Sequence, residues 1–123
     1  MSSRRAKSRD YLSRRSDGQP AYYELIWELV RLCPRGRVTT YGALADALSL
    51  GTPRMAGYAM RHSFHADIEV PAHRVVGAGG RLTGAKAFPT PTMMQELLTA
   101  EGVEVRNGRV VNFNGLFWHP AES

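Results

Sequence analysis

The stretch that most narrows what this chain can fold into is "VTTYGALADALSLGTPRMAGYAMRHS", residues 38–63. It reads as two short helices joined by little more than a Gly-Thr step. In the first, Thr39 or Thr40 supplies the N-cap, Leu44, Ala45 and Leu48 face inward, and Gly51 is the expected stop. In the second, Thr52 caps and Pro53 takes the first helical position, where a missing N–H costs nothing. Helices this short are marginal alone and hold only by packing. A helix-turn-helix is the unit implied, although many helical hairpins share the pattern.

The second helix has two unlike faces. Met55, Ala56, Ala59 and Met60 form an inward stripe, while Arg54, Gly57, Tyr58 and Arg61 recur at i, i+3, i+4, i+7 on the other side. A glycine inside a helix costs about 1 kcal/mol against alanine. Between two arginines it removes bulk, which lets a polymer backbone or groove wall approach. Nucleic-acid contact accounts for that arrangement; a solvated face with a tolerated glycine is the plainer alternative.

Upstream, "AYYELIWELVRLC" places Tyr22, Leu25, Ile26, Leu29, Val30 and Cys33 on one helical face, ended by Pro34 and Gly36. Cys33 is the single cysteine, so there is no internal disulfide, and its place on the stripe makes it a small core residue. A reactive thiol is the competing reading. Residues 62–90 read as loop and short extended pieces. A further helix follows, with Thr90 as cap, Pro91 at its start, Met93, Met94, Leu97 and Leu98 inward, and Gly102 as stop. Glu101 falls on that stripe. Either it has a basic partner, because a buried carboxylate is costly unpaired, or the last turn frays and leaves it in water. The chain closes with two alternating runs around Asn107-Gly108, a hairpin signal.

At 123 residues there is room for one modest core. Residues 1–19 are expected as a basic tail, 20–113 as the domain and 114–123 as a C-terminal tail. No apolar run is long enough to span a bilayer, and no apolar stretch follows the N-terminal arginines as a secretory signal requires. Cytoplasmic or nucleoid residence is expected. The net charge of +5 is unevenly spread: residues 31–86 hold eight cations (Arg31, Arg35, Arg37, Arg54, Arg61, Arg74, Arg81, Lys86) against three acids. That asymmetry suits a polyanion partner.

Of the four histidines, His62 and His65 lack a second pair of metal ligands, and "GAGG" lacks the lysine of a phosphate loop. No metal or cofactor is expected. What remains is "VPAHRVV", residues 70–76, together with Glu101. A histidine beside a carboxylate commonly activates a nucleophile, yet the neighbouring residue is Ala72, whose methyl can accept nothing.

The segments "VTTYGALA", "PRMAGYAMRHS", "PAHRVV" and "LLTAEG" resemble, in order and spacing, the C-terminal domain of O6-alkylguanine-DNA alkyltransferases over about residues 20–106. In those enzymes the position of Ala72 holds the alkyl-accepting cysteine. The chain therefore resembles the alkyltransferase-like proteins, many of which carry tryptophan there. The resemblance implies a mainly α, single-domain winged helix-turn-helix-like fold with short β pieces. It implies Arg54 as the finger that fills the gap of a flipped base, and Tyr41 as the residue that pushes the target phosphate. Thr40, Tyr41, Arg54, Ala56, Gly57, Arg61 and Arg74 are then DNA contacts. Tyr41, Ala72, His73 and Gly84 line a lesion pocket, with residues 77–90 as its loop. His73 and Glu101 persist as a structural relay whose asparagine is replaced near His62 or Ser63. The implied partner is duplex DNA carrying O6-alkylguanine, bound by a monomer that signals to nucleotide excision repair without catalysis. A helix-turn-helix regulator without lesion recognition, and an enzyme using Cys33, remain the alternatives.

Overall fold

The computed structural model describes residues 18–122; the expected basic tail lies almost wholly outside the described residues. Helix α1 (Tyr22–Leu32) leads to a two-residue strand β1 (Thr39–Thr40), which runs directly into α2 (Tyr41–Ala47). After a short turn comes α3 (Pro53–Arg61). Strand β2 (Val75–Val76) follows a 3-10 turn at Ala72–Arg74, and helix α4 is Met93–Ala100. The hairpin β3 (Val105–Arg106) and β4 (Arg109–Val110) precedes a single turn, α5 (Phe113–Leu116).

Strands β1 and β2 pair in parallel, Thr39 with Val75 and Thr40 with Val76. This pairing positions the site, because it sets Tyr41, the first residue of α2, beside the turn that carries Ala72 and His73. Two apolar clusters support it. The larger joins α1, α2 and α3 through Tyr22, Ile26, Trp27, Leu44, Ala56 and Ala59. Alanines at the contacts let the helices approach closely, and the Trp27 indole N–H donates to the Ala59 carbonyl at 2.8 Å. The smaller gathers Val38, Val76, Met94, Leu98, Val103 and Val110 beneath the hairpin.

Local expectations largely stand. Thr40 caps α2 by accepting from the Ala43 N–H at 3.0 Å, and Thr52 caps α3 by accepting from Arg54 N–H. Asn107 and Gly108 both take positive φ, 53° and 73°, as the primed hairpin turn needs. Three boundaries differ. Helix α2 ends at Ala47, and the left-handed residue is Ser49 at φ 56°, not Gly51. There Leu50 N–H bonds the Ala45 carbonyl and Ser49 N–H the Asp46 carbonyl, a Schellman closure that proceeds despite the side chain. Helix α4 starts two residues later than expected, with Thr92 in place of Thr90 at the cap. Its end at Gly102 (φ 86°) is as expected.

The C-terminal boundary is a correction. Residues after 113 are not a tail: Trp118 is buried, its N–H donates to the Val38 carbonyl at 2.7 Å, and Val38 N–H donates to the Leu116 carbonyl. Arg37 adds donors to the Leu116 and Phe117 carbonyls, and His119 Nε2 lies 2.9 Å from Asp46. An indole of that size supplies core that the small domain otherwise lacks.

Candidate nucleic-acid interface

Helix α3 presents Arg54, Tyr58 and Arg61 to solvent while burying Ala56, Ala59 and Met60. Gly57 lies between the arginines, and a Cβ built on it meets nothing within 4 Å. Its absence of side chain is therefore not demanded by this fold's own packing. Ala56, expected at the interface, is fully buried in the cluster that joins the three helices. Its small size serves helix packing.

Beside this face opens a cavity of about 610 Å³, lined by Tyr41, Arg54, Gly57, Arg61 and Ala72 and closed by Thr83, Gly84, Lys86 and Phe88 of the 77–90 loop. The pocket residues Tyr41, Ala72 and Gly84 are thus brought together. His73 is not on this wall; it faces a second cleft behind Ala72. The Tyr41 phenol is pushed above its ordinary range by burial, with Thr83 as a hydrogen-bond partner acting the other way. A Cβ on Gly84 would come within 2.8 Å of the Tyr41 hydroxyl. Glycine there leaves room for that hydroxyl.

Behind the pocket is a charged junction. His73 Nε2 lies 2.6 Å from Glu101 Oε2, and Arg74 donates to the same carboxylate from Nε at 3.0 Å and Nη2 at 2.7 Å. The Gly36 N–H completes the set at 3.1 Å. Burial by itself raises the Glu101 pKa, but hydrogen bonds from Arg74, His73 and Gly36 outweigh it and hold the carboxyl at about 2. Of the two readings left open, the paired one holds, and Glu101 sits as the C-cap of a Schellman-closed helix rather than in a frayed turn.

Arg74, expected as a DNA contact, is engaged within the protein: its guanidinium donates to Glu101 and, through Nη1, to the Cys33 carbonyl at 2.9 Å. The same holds for much of the basic middle. Arg31 donates to the Ile68 and Glu69 carbonyls, Arg35 to Ala100, and Arg37 to Leu116 and Phe117. Half of the eight cations thus tie the backbone together, and Arg54, Arg61 and Lys86 are the ones at the pocket mouth. Thr40 accepts at its helix cap, which leaves its O–H as a donor for another partner. Neither stand-in for the relay asparagine reaches His73: the Ser63 hydroxyl donates to the Met60 carbonyl at 2.7 Å, and His62 stacks on Tyr23. Cys33 is 1% exposed, and burial pushes its thiol up to about 12.

Phe64, Lys86 and Phe88 also line the pocket. Lys86 and Phe88 fall within the loop 77–90 expected there, whereas Phe64 lies in an aperiodic stretch where no spacing rule signals a shared wall.

A two-helix unit with a basic outer face, a hairpin and an adjoining concave pocket defines a DNA-binding domain of the helix-turn-helix class. The chain belongs to the family of the 6-O-methylguanine DNA methyltransferase DNA-binding domain, whose model matches residues 21–103. It is 31% identical over 85 residues to alkyltransferase-like protein 1 of Schizosaccharomyces pombe, covering 68% of this chain and 78% of that one. It is 49% identical over 59 residues to a DNA base-flipping protein of Thermus thermophilus, covering 48% of this chain but only 39% of that protein. The crystal structure of S. pombe Atl1 in complex with damaged DNA containing O6-carboxymethylguanine superposes with a TM-score of 0.70 at 29% identity. The match covers 86% of this chain and 99% of that one.

Proposed function

We propose that this protein is a non-enzymatic reader of O6-alkylguanine in duplex DNA. The reading rests on Ala72, a methyl group on the wall of the pocket, taken with the resemblance of "PAHRVV" to the transferases, which implies that this is the position of their acceptor cysteine. Alkyl transfer needs an activated nucleophile, and an alanine offers none. Cys33 does not replace it, being buried, protonated and absent from the residues that line the pocket. The names of the S. pombe and Thermus relatives, and the lesion in the Atl1 complex, point the same way.

The residues divide the work as follows. Arg61 and Lys86 neutralise phosphates on either side of the mouth, while Arg54 enters the minor groove and occupies the gap in the stack. Flipping costs a few kcal/mol and least where pairing is already damaged, which favours the modified guanine. Tyr41 is neutral, so its hydroxyl can donate toward the target phosphate. With no thiol to activate, His73 and Glu101 anchor the Ala72 turn to α4. A small residue at position 72 leaves room for O6 groups larger than methyl. The bound protein then marks the lesion for nucleotide excision repair, acting as a monomer at the nucleoid.

The test is a duplex carrying labelled O6-methylguanine. Tighter binding than to the undamaged duplex, with no label reaching the protein, is expected. Label transfer would refute the non-enzymatic assignment. Equal affinity for both duplexes, or preference for a base sequence irrespective of damage, would favour a plain helix-turn-helix regulator. Arg54→Ala should weaken lesion binding about 10- to 100-fold; unchanged affinity removes its role as the finger.

A further inference from the structure

We infer that Tyr58 is a second reading residue of this protein, sensing from the minor groove whether an A·T or a G·C pair flanks the lesion. This rests on the lesion-reader assignment and extends it from the modified guanine to the sequence around it. Among the described residues, Tyr58 is the large apolar side chain that α3 leaves in solvent, 41% exposed. It is not among the residues that line the lesion pocket, so the seat of a flipped base does not account for it.

The ring has neighbours that hold it, yet its hydroxyl is left to bond elsewhere. The Arg61 guanidinium carbon lies 5.9 Å from the ring centroid, a cation–π contact between residues three apart on the helix. Tyr22, on α1, donates its own hydroxyl to the Met55 carbonyl at 3.0 Å. Burial, with the Tyr23 and Tyr58 phenols adding to it, pushes the Tyr22 hydroxyl up to about 12. That hydroxyl is thus protonated and engaged, whereas the Tyr58 hydroxyl makes no hydrogen bond among the described residues. Gly57 beside it adds no side chain, which lets a groove wall close on the ring.

Helix geometry places the reading. Tyr58 follows Arg54 by four residues, a rise of about 6 Å, and base pairs stack about 3.4 Å apart. With α3 along the minor groove and Arg54 in the gap of the flipped base, the ring comes about two steps from the lesion, on one side of it. The groove edge of an A·T pair there presents only acceptors, adenine N3 and thymine O2, and a G·C pair adds the guanine N2 amino group. A phenol O–H donates to the acceptors of A·T. Over G·C the amino group projects from the groove floor into the space that the ring edge needs.

The experiment sets A·T, G·C or I·C pairs at one, two and three steps on either side of O6-methylguanine in otherwise identical duplexes, each with an unmodified counterpart. Inosine lacks the N2 amino group, so an I·C pair shows the minor-groove edge of A·T and the major-groove edge of G·C. The full chain should bind the A·T and I·C duplexes about two- to tenfold tighter than the G·C duplex at one such position, the share of a single hydrogen bond. Tyr58→Ala should bring the three together, and Tyr58→Phe, which removes only the hydroxyl, should narrow the ratio. Equal affinity for the three pairs at every position, with O6-methylguanine still preferred over guanine, overturns the role of Tyr58 and leaves the lesion reading standing. An I·C pair that behaves as G·C does the same, because the discrimination then lies outside the minor-groove edge; this comparison uses the unaltered protein and does not depend on how a variant folds. A ratio unchanged in both variants assigns the preference to the deformability of the DNA and also overturns the proposal. No preference for O6-methylguanine overturns the lesion reading, and the reading of its flank with it.

Discussion

Glu101→Gln removes one charge from a junction that four groups share. The carboxylate is 4% exposed and accepts from Arg74 Nε, Arg74 Nη2 and Gly36 N–H, with His73 Nε2 at 2.6 Å. Glutamine keeps the shape and one acceptor oxygen but turns an amide N–H2 toward donors. The Arg74 guanidinium cannot lose its proton, and at 15% side-chain exposure it is left a largely buried charge without a counterion. Breaking a buried pair from one side costs about 3–5 kcal/mol. A domain of this size has about 5–15 kcal/mol in total, so at least about a fifth of the stability should go. Urea unfolding followed by tryptophan fluorescence reads this directly, because Trp27 and Trp118 are both buried. With a slope of about 2 kcal/mol per molar, the midpoint should fall by about 2 M. A loss under about 1 kcal/mol would refute the reasoning, since it would mean the carboxylate is effectively solvated. Replacing both partners, Arg74→Met with Glu101→Leu, should restore much of the loss, because the penalty comes from the orphaned charge. The pH dependence has a definite sign. Buried yet hydrogen-bonded, the folded carboxyl sits at about 2 against an ordinary 4.5. Its stabilisation is therefore complete above about pH 4.5 and is lost as pH falls toward 2, and Glu101→Gln should lack that acid slope.

Gly57→Ala should separate stability from binding. The added methyl meets nothing within 4 Å, so the helix gains up to about 1 kcal/mol in urea unfolding, while DNA affinity falls. Retained affinity in a gel-shift titration would place DNA elsewhere. Trp118→Ala should cost about 3–5 kcal/mol, measured in the same unfolding assay with Trp27 as reporter, because the indole is 3% exposed. A negligible effect would return residues after 113 to the status of a tail. The Cys33 thiol, pushed to about 12 by burial, should resist disulfide reagents in the native protein and react only on unfolding. Rapid native labelling would reopen Cys33 as a reactive group.

How much was legible from the chain depends on how far each interaction reaches along it. The caps Thr40 and Thr52 act within three residues of themselves, and the turn at Asn107-Gly108 needs only the φ values those two residues tolerate. Such features could be read directly. The helix α2 stop could not, because Ser49 took the left-handed position two residues before the glycine that invites it. The packing of α2 on α3 and α1 leaves the chain to turn there, overriding the local preference.

By itself the sequence determined the helices and their faces, the hairpin, the Gly57 gap between two arginines, and the chemical silence of Ala72. Only the tertiary structure decided which arginines are free. Arg74 and Glu101 stand 27 positions apart, and Arg37 and the Phe117 carbonyl 80. No local pattern distinguishes a guanidinium bound for a distant carbonyl from one bound for a phosphate. The pocket walls are of the same kind, since Tyr41, Ala72 and Gly84 meet through the β1–β2 pairing and the fold of a loop without periodicity. Side-chain chemistry is written residue by residue, whereas burial, which sets what that chemistry can do, belongs to the packed whole.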